Sequence, residues 1–186
     1  MAETPSGRTA TSGQWGCLAG AWLLSLAANA LLIVPASFMP PMMETFGTGP
    51  ALTVWVVSAT FATWAISSLG VGVAIDRTSD VTVSAAATAL ITVTGVWAWL
   101  AGLDANFVSL LASRAVAGVA IGAVWTTGAN LVGRAFASRQ QGTALGLYTT
   151  SAPVGLALGQ SSGPLVTAQW GWPAAFPVFV GATLVV

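Results

Sequence analysis

The residues whose types could carry chemistry are few, and several of them lie close together in the sequence. The segment GVAIDRTSD, residues 72–80, holds Asp76, Arg77 and Asp80 in a chain of which only 5% is charged. Gly72 lets another backbone come close, Asp76 can face the positive end of a helix, and Arg77 can bind a carboxylate through two parallel hydrogen bonds. These properties favour a charge-pairing contact for Asp76, whereas Arg77 and Asp80 fit a solvated turn equally well.

A single arginine interrupts the apolar segment SRAVAGVAIGAVW, residues 113–125. Arg114, Gly118 and Gly122 recur every four residues and therefore share one face of a helix. An arginine deep in a membrane span costs about 2.5 to 3.5 kcal/mol, so we expect Arg114 to face the protein interior. Its guanidinium stays protonated, so it can bind an anionic group or bias a neighbouring acid but cannot carry a proton itself. The alternative is that Arg114 reaches the outer membrane surface, about a dozen Å from Ala105.

Glycines and one tryptophan predict packing faces and a cavity wall. Gly118 and Gly122 form a small-residue seam that allows close helix packing. Trp125 lies eleven residues after Arg114, close to three turns of about 3.6 residues, and points to the same face, so we expect it to line a substrate cavity. The segment APVGLALGQSSGP combines glycines at four-residue spacing with prolines, which permit close contact and bending. These residues are Gly155, Gly159, Gly163, Pro153 and Pro164.

Several function classes are excluded by residues that the sequence lacks. GQSSG spells the G-x-S-x-G pattern of serine hydrolases with Ser161 as nucleophile, but that chemistry needs a base, normally histidine, and the sequence has none. Without lysine, a nucleotide-binding P-loop and a basic surface for nucleic acid are not expected. Cys17 is the only cysteine, which excludes an internal disulfide, and without histidine a metal site is not expected either. We therefore predict that the chain is not an enzyme, holds no cofactor and binds no nucleic acid.

Long apolar segments must position these residues. Soluble domains carry about 25% charged residues, so 5% charged and 55% hydrophobic residues predict a chain folded inside a bilayer. Crossing the hydrocarbon takes about 20 residues as a helix. The expected fold is an all-α polytopic membrane protein with five full transmembrane helices and a truncated sixth: 15–39, 51–75, 81–100, 105–133 and 144–166, then a short run at 172–186. The segments PPMMETFGTGP, DRTSD, GLDAN and GRAFASRQQG are expected to be turns.

The arginines predict how the chain is oriented, because short cytoplasmic loops retain positive charge. With the N-terminus inside, the loop arginines fall on the cytoplasmic side and Glu44 and Asp104 on the outer side. These arginines are Arg8, Arg77, Arg134 and Arg139. We therefore expect a cytoplasmic tail over residues 1–14, a bundle over 15–186 and a multi-pass location in the inner (cytoplasmic) membrane. A cleaved signal ending at Ala30 is the alternative, but the apolar run continues beyond it.

These segments resemble the major facilitator superfamily of secondary transporters, over essentially the whole sequence, as the amino-terminal six-helix half of a transporter that normally has twelve helices. In that family the turn between helices two and three reads Gly, three residues, Asp, Arg or a neighbour, then Gly and a basic pair. Gly72, Asp76 and Arg77 match this pattern, whereas Ser79 replaces the second glycine and the segment from Asp80 replaces the basic pair.

Two further motifs carry the resemblance. The helix-four motif, an arginine followed four residues later by glycine, matches Arg114 and Gly118. The glycine-proline motif of helix five, most regular in proton-coupled exporters, matches in part, because Gln160 occupies the usual proline position and Pro164 replaces a glycine.

The resemblance implies secondary active transport of a small solute by alternating access, coupled to protons, with a leaning towards export by antiport. It implies that Gly72, Asp76 and Arg77 form a cytoplasmic gating turn that latches two halves together. Arg114, Trp125 and Gln160 are the candidates for a substrate or coupling site. The expected partners are a small-molecule substrate, membrane lipid, protons and a second six-helix half. A six-helix protein acting as a homodimer and an inactive truncated fragment remain as alternatives, and the substrate is not predicted.

Overall fold

The computed structural model describes residues 11–185, and this part of the chain is almost entirely helical, with no strand. The all-α polytopic fold class is therefore confirmed. Arg8 and most of the predicted tail lie outside the described residues. The elements are α1 (Ser12–Ile33), a 3₁₀ helix (Val34–Phe38), α2 (Met39–Phe46), α3 (Pro50–Thr53), α4 (Trp55–Arg77), α5 (Asp80–Leu103), α6 (Phe107–Ala135), α7 (Ser138–Thr149), α8 (Ser151–Trp170), a second 3₁₀ helix (Trp172–Ala174) and α9 (Ala175–Leu184).

Four helical segments of the described chain are long and apolar enough to cross a membrane, and they correspond to the first four predicted spans. These segments are Ser12–Phe46, Pro50–Arg77, Asp80–Leu103 and Phe107–Ala135. The fifth predicted span, 144–166, is divided between α7 and α8, and the last apolar run forms the shorter helix Trp172–Leu184. The number of membrane crossings therefore stays a prediction.

The connection between α4 and α5 lies where the turn DRTSD was predicted, but it is shorter than that segment. α4 continues through Asp76 to Arg77 and α5 begins at Asp80, so only two residues connect the helices. The reason lies in Ser79, whose Oγ accepts a hydrogen bond from the Thr82 amide at 3.1 Å and caps α5. Such a cap satisfies an amide that the helix start leaves free, so the new helix can begin directly after the old one.

Two other segments predicted as connections are also largely helical. PPMMETFGTGP contains α2, because proline is compatible with a first helical turn, where its missing N–H has no intrahelical acceptor. This helix ends at Gly47, whose φ of 61° is left-handed and suits glycine. Within GRAFASRQQG, α6 runs to Ala135 and α7 starts at Ser138.

The helices pack as a bundle in which α6 lies between α4, α5 and α1. α8 packs on the other side of α1, and α9 packs against α5 and α1. Hydrogen bonds from Gln14 to the Ala135 carbonyl and from Arg134 to Asp80 join the starts of α1 and α5 to the end of α6. We call this the arginine end, because the ends of α4 and α6 and the start of α7 bring Arg77, Arg134 and Arg139 to it. Which side of the membrane this end faces stays a prediction.

Candidate functional site

Arg114 lies in the core of the bundle, near the start of α6, with 1% of its surface exposed. Its Nη2 donates hydrogen bonds to the carbonyl oxygens of Leu31 and Leu32, both at 3.1 Å. Its Cζ lies 5.7 Å from the centre of the Phe176 ring. Nε and Nη1 have no hydrogen-bond partner among the described residues. The structure therefore places the guanidinium inside the protein and not at the outer surface.

Trp125 belongs to a row of aromatic rings that joins α4, α6 and α7. Successive ring centres are 5.8 Å apart for Phe61 and Trp64, 6.3 Å for Trp64 and Trp125, and 5.2 Å for Trp125 and Tyr148. The Tyr148 hydroxyl also donates to the Trp125 carbonyl at 2.9 Å. We call these four residues the aromatic row. Arg114 instead contacts α1 and α9, so the structure does not bring it together with Trp125, about 16 Å further along α6.

Gln160 and the glycines of α8 lie on different faces of that helix. Gly155, Gly159 and Gly163 are buried against α1, whereas Gln160 is exposed. A Cβ at Gly155 would lie 3.0 Å from the Asn29 Cβ, and one at Gly159 would lie 2.5 Å from the Ala30 carbonyl oxygen. A Cβ at Gly163 would overlap the Ser37 side chain of the 3₁₀ helix. The glycines therefore allow α8 to pack on α1, and Gln160 lies outside this contact.

Gly118 and Gly122 form the contact between α6 and α4. A Cβ at Gly122 would lie 2.6 Å from both the Ser67 Oγ and the Trp64 Cδ1, and one at Gly118 would overlap the Thr60 carbonyl group. A side chain at either position would separate the helices. Gly72 differs from them, because nothing lies within 4 Å of a Cβ built there.

Asp76 and Arg77 are exposed in the last turn of α4 and form no ion pair with the residues that the structure describes. A cation is favourable at a helix C-terminus and a carboxylate is unfavourable, so Asp76 lacks a local electrostatic partner. The same side of α4 carries Ile66, Leu69 and Val73, which are 71%, 84% and 52% exposed. These five residues, which we call the outer α4 face, combine an uncovered apolar surface with charges at its end.

The ion pair between Asp80 and Arg134 was not found by reasoning from the sequence. Asp80 Oδ2 lies 2.7 Å from Arg134 Nη1, and the two side chains are 5% and 67% exposed. Asp80 Oδ1 is buried without a partner among the described residues. Asp80 is thus not part of a solvated turn: it links the start of α5, where a carboxylate is favourable, to the end of α6. The available signal was that both residues were expected on the cytoplasmic side.

A small cavity lies between α1, α5 and α6. Its volume is about 170 Å³, and its walls include Cys17, Gly20 and Leu24 of α1, Ser84 of α5 and Gly128 of α6. No charged residue lines it. Within residues 11–185 no three side chains of the usual metal-binding types come together.

Comparison with known proteins agrees with this architecture. A family model described as Major Facilitator Superfamily matches residues 18–186. The chain is also 27% identical over 166 residues to the uncharacterized MFS-type transporter Rv1250 of Mycobacterium tuberculosis (strain ATCC 25618 / H37Rv). That match covers 89% of the chain but 28% of the relative, so the chain spans less than a third of the relative's length. Since the family model takes in nearly the whole helical bundle, the chain belongs to the Major Facilitator Superfamily of membrane transporters.

Proposed function

We propose that the chain is the amino-terminal six-helix half of a secondary active transporter, which moves a small solute by alternating access between two bundles. Membership of the family supports the transport function, and the length of the relative supports a partner bundle. In such transporters the solute site lies near the membrane midplane, where the two bundles meet. The proposal therefore requires that one face of this bundle contact the second bundle.

The outer α4 face is the observation that carries this proposal. Apolar side chains alone would be explained by contact with lipid, but this face ends in Asp76, whose carboxylate has no favourable partner within the described bundle. The positive end of a helix in a second bundle would supply that partner. Gly72, beside the face, leaves room for a close backbone contact. We propose that Gly72, Asp76 and Arg77 latch the two bundles on the cytoplasmic side.

Trp125, with its neighbour Trp64, and Gln160 are the proposed contacts of this half with the solute. Trp64 and Trp125 are partly exposed, and Gln160 is exposed on α8. Arg114 is enclosed, so it acts on the solute path through the helices around it in the described conformation.

Proton coupling and export by antiport are proposed on the partial glycine-proline motif of α8. The carboxylates of the described residues lie at or near helix ends: Glu44, Asp76, Asp80 and Asp104. A carboxylate deep in the membrane that binds and releases the coupling proton would therefore come from the second bundle.

The test is a chimera in which this chain replaces the matching part of its mycobacterial relative, reconstituted in vesicles. Uptake of a panel of solutes is measured with and without a pH gradient. We expect transport of at least one solute, a rate at least tenfold lower for Asp76→Asn, and little change for Glu44→Gln, an exposed carboxylate at the opposite end. A membrane-inserted chimera that transports none of the panel contradicts the proposal. Transport by the unmodified chain as a pair of copies would instead support the homodimer.

A further inference from the structure

The first membrane helix is interrupted where Arg114 meets it. α1 ends at Ile33, the 3₁₀ helix Val34–Phe38 follows with Pro35 in its first turn, and α2 continues to Phe46. Interruptions of a membrane helix at proline leave backbone groups that must be satisfied by other parts of the protein.

The carbonyl group that Pro35 leaves free belongs to Leu31. In an α-helix the Leu31 oxygen would accept from the amide of residue 35, and proline has no N–H. The Arg114 Nη2 donates to that oxygen at 3.1 Å and to the neighbouring Leu32 oxygen at the same distance. The side chain of α6 therefore supplies the hydrogen bond that the backbone of α1 cannot make.

Stability alone does not account for a charge at this position. A buried guanidinium loses its hydration, and here two of its three nitrogens find no acceptor among the described residues. A continuous helix with an apolar residue at position 114 would avoid both costs. An interruption maintained by a buried cation fits a helix whose two parts change their relative angle.

We propose that Pro35 and Arg114 form a hinge in the first helix, about which residues 34–46 move as an arm. Arg114 is the positioning residue that holds the arm in the described orientation. The arm packs on α8, where Ser37 contacts Gly163, and its Thr45 accepts a hydrogen bond from the Trp172 Nε1 at 3.0 Å. The purpose of the hinge rests on the proposed alternating access, but its existence is testable without a solute or a second bundle.

A double-mutant cycle tests whether the two residues act as one unit. Pro35→Ala restores an amide to α1, so it should compensate for Arg114→Met. We expect the Tm of Arg114→Met/Pro35→Ala to be at least about 5 °C higher than that of Arg114→Met. This increase should exceed the change in Tm that Pro35→Ala causes in the otherwise unmutated protein. Pro153→Ala, at an exposed proline near the start of α8, is the matched control and should not rescue Arg114→Met.

The angle of the arm is measured with spin labels at Ala19→Cys and Glu44→Cys in a Cys17→Ser background. Both positions are exposed, and about 25 residues of helix separate them by roughly 38 Å. Arg114→Met should broaden the distance distribution, and adding Pro35→Ala should narrow it again. Equal effects of Pro35→Ala in both backgrounds, or an unchanged width in Arg114→Met, would overturn the hinge while leaving the transport proposal intact. If Arg114→Met does not accumulate, the same cycle with Arg114→Lys applies the same criteria.

Discussion

Replacing either member of the Asp80–Arg134 ion pair should destabilise the bundle, but by unequal amounts. At 2.7 Å the Coulomb attraction is about 6 kcal/mol for an effective dielectric constant of 20, and desolvation of Asp80 offsets much of it. Arg134→Gln leaves a buried carboxylate without its cation, which costs about 2–3 kcal/mol. Asp80→Asn leaves Arg134 free to be hydrated, because this side chain is already 67% exposed, and costs about 1 kcal/mol.

Thermal unfolding in detergent micelles, followed by intrinsic tryptophan fluorescence, measures this difference. For a chain of this size about 1 kcal/mol shifts the Tm by roughly 2–4 °C. We therefore expect a decrease of about 4–12 °C for Arg134→Gln and about 2–4 °C for Asp80→Asn. The decrease in Tm of the double variant should be smaller than the sum of the two single decreases, because the double variant leaves no charged side chain without its partner. Arg139→Gln, at an exposed arginine of the same end, is the control and should leave the Tm unchanged.

Two results would refute this reasoning. Strict additivity in the double variant would show that the two side chains do not interact in the membrane-embedded protein. An Asp80→Asn effect equal to or larger than that of Arg134→Gln would show that the uncompensated buried carboxylate is not the dominant cost.

The remaining predictions concern packing and orientation. Gly118→Ala should lower stability by about 1–3 kcal/mol, because its Cβ meets the α4 backbone. Gly20→Ala, whose Cβ would have nothing within 4 Å, should be neutral or stabilise the protein by up to about 1 kcal/mol. Thermal unfolding distinguishes the two variants. Tyr148→Phe removes the hydrogen bond to the Trp125 carbonyl and should cost about 1 kcal/mol in the same assay. Cysteines introduced at Glu44 and Arg139 should react with impermeant thiol reagents from opposite sides of the membrane, Arg139→Cys from the cytoplasmic side. Labelling from the same side would reject the predicted orientation.

The helices could be predicted from the sequence because a membrane span is a long local pattern of apolar residues. Their ends were predicted less well, since polar residues such as Asp76 and Arg77 do not terminate a helix by themselves. The start of α5 depends instead on Ser79, a cap whose effect appears only when the Thr82 amide is placed beside it. Element positions thus follow from composition, whereas boundaries follow from individual hydrogen bonds.

The features of the candidate site could likewise be predicted only in part. The inward orientation of Arg114 could be predicted from the cost of a charge in lipid. Its hydrogen-bond acceptors could not, because they are backbone oxygens of α1, and every residue has such an oxygen. Pro35, four residues after Leu31, was the available signal. The Asp80–Arg134 pair joins residues 54 positions apart, and only tertiary packing brings them together.

The cavity beside α1 allows Cys17, the only cysteine of the sequence, to serve as a probe of the space between the helices. Cys17 is half-buried on its wall, so a compact alkylating reagent and a bulky fluorescent maleimide meet different obstacles at the same sulfur atom. The ratio of their reaction rates reports how wide the aperture between α1, α5 and α6 becomes as the protein fluctuates. That ratio can be recorded on unmutated protein in intact vesicles.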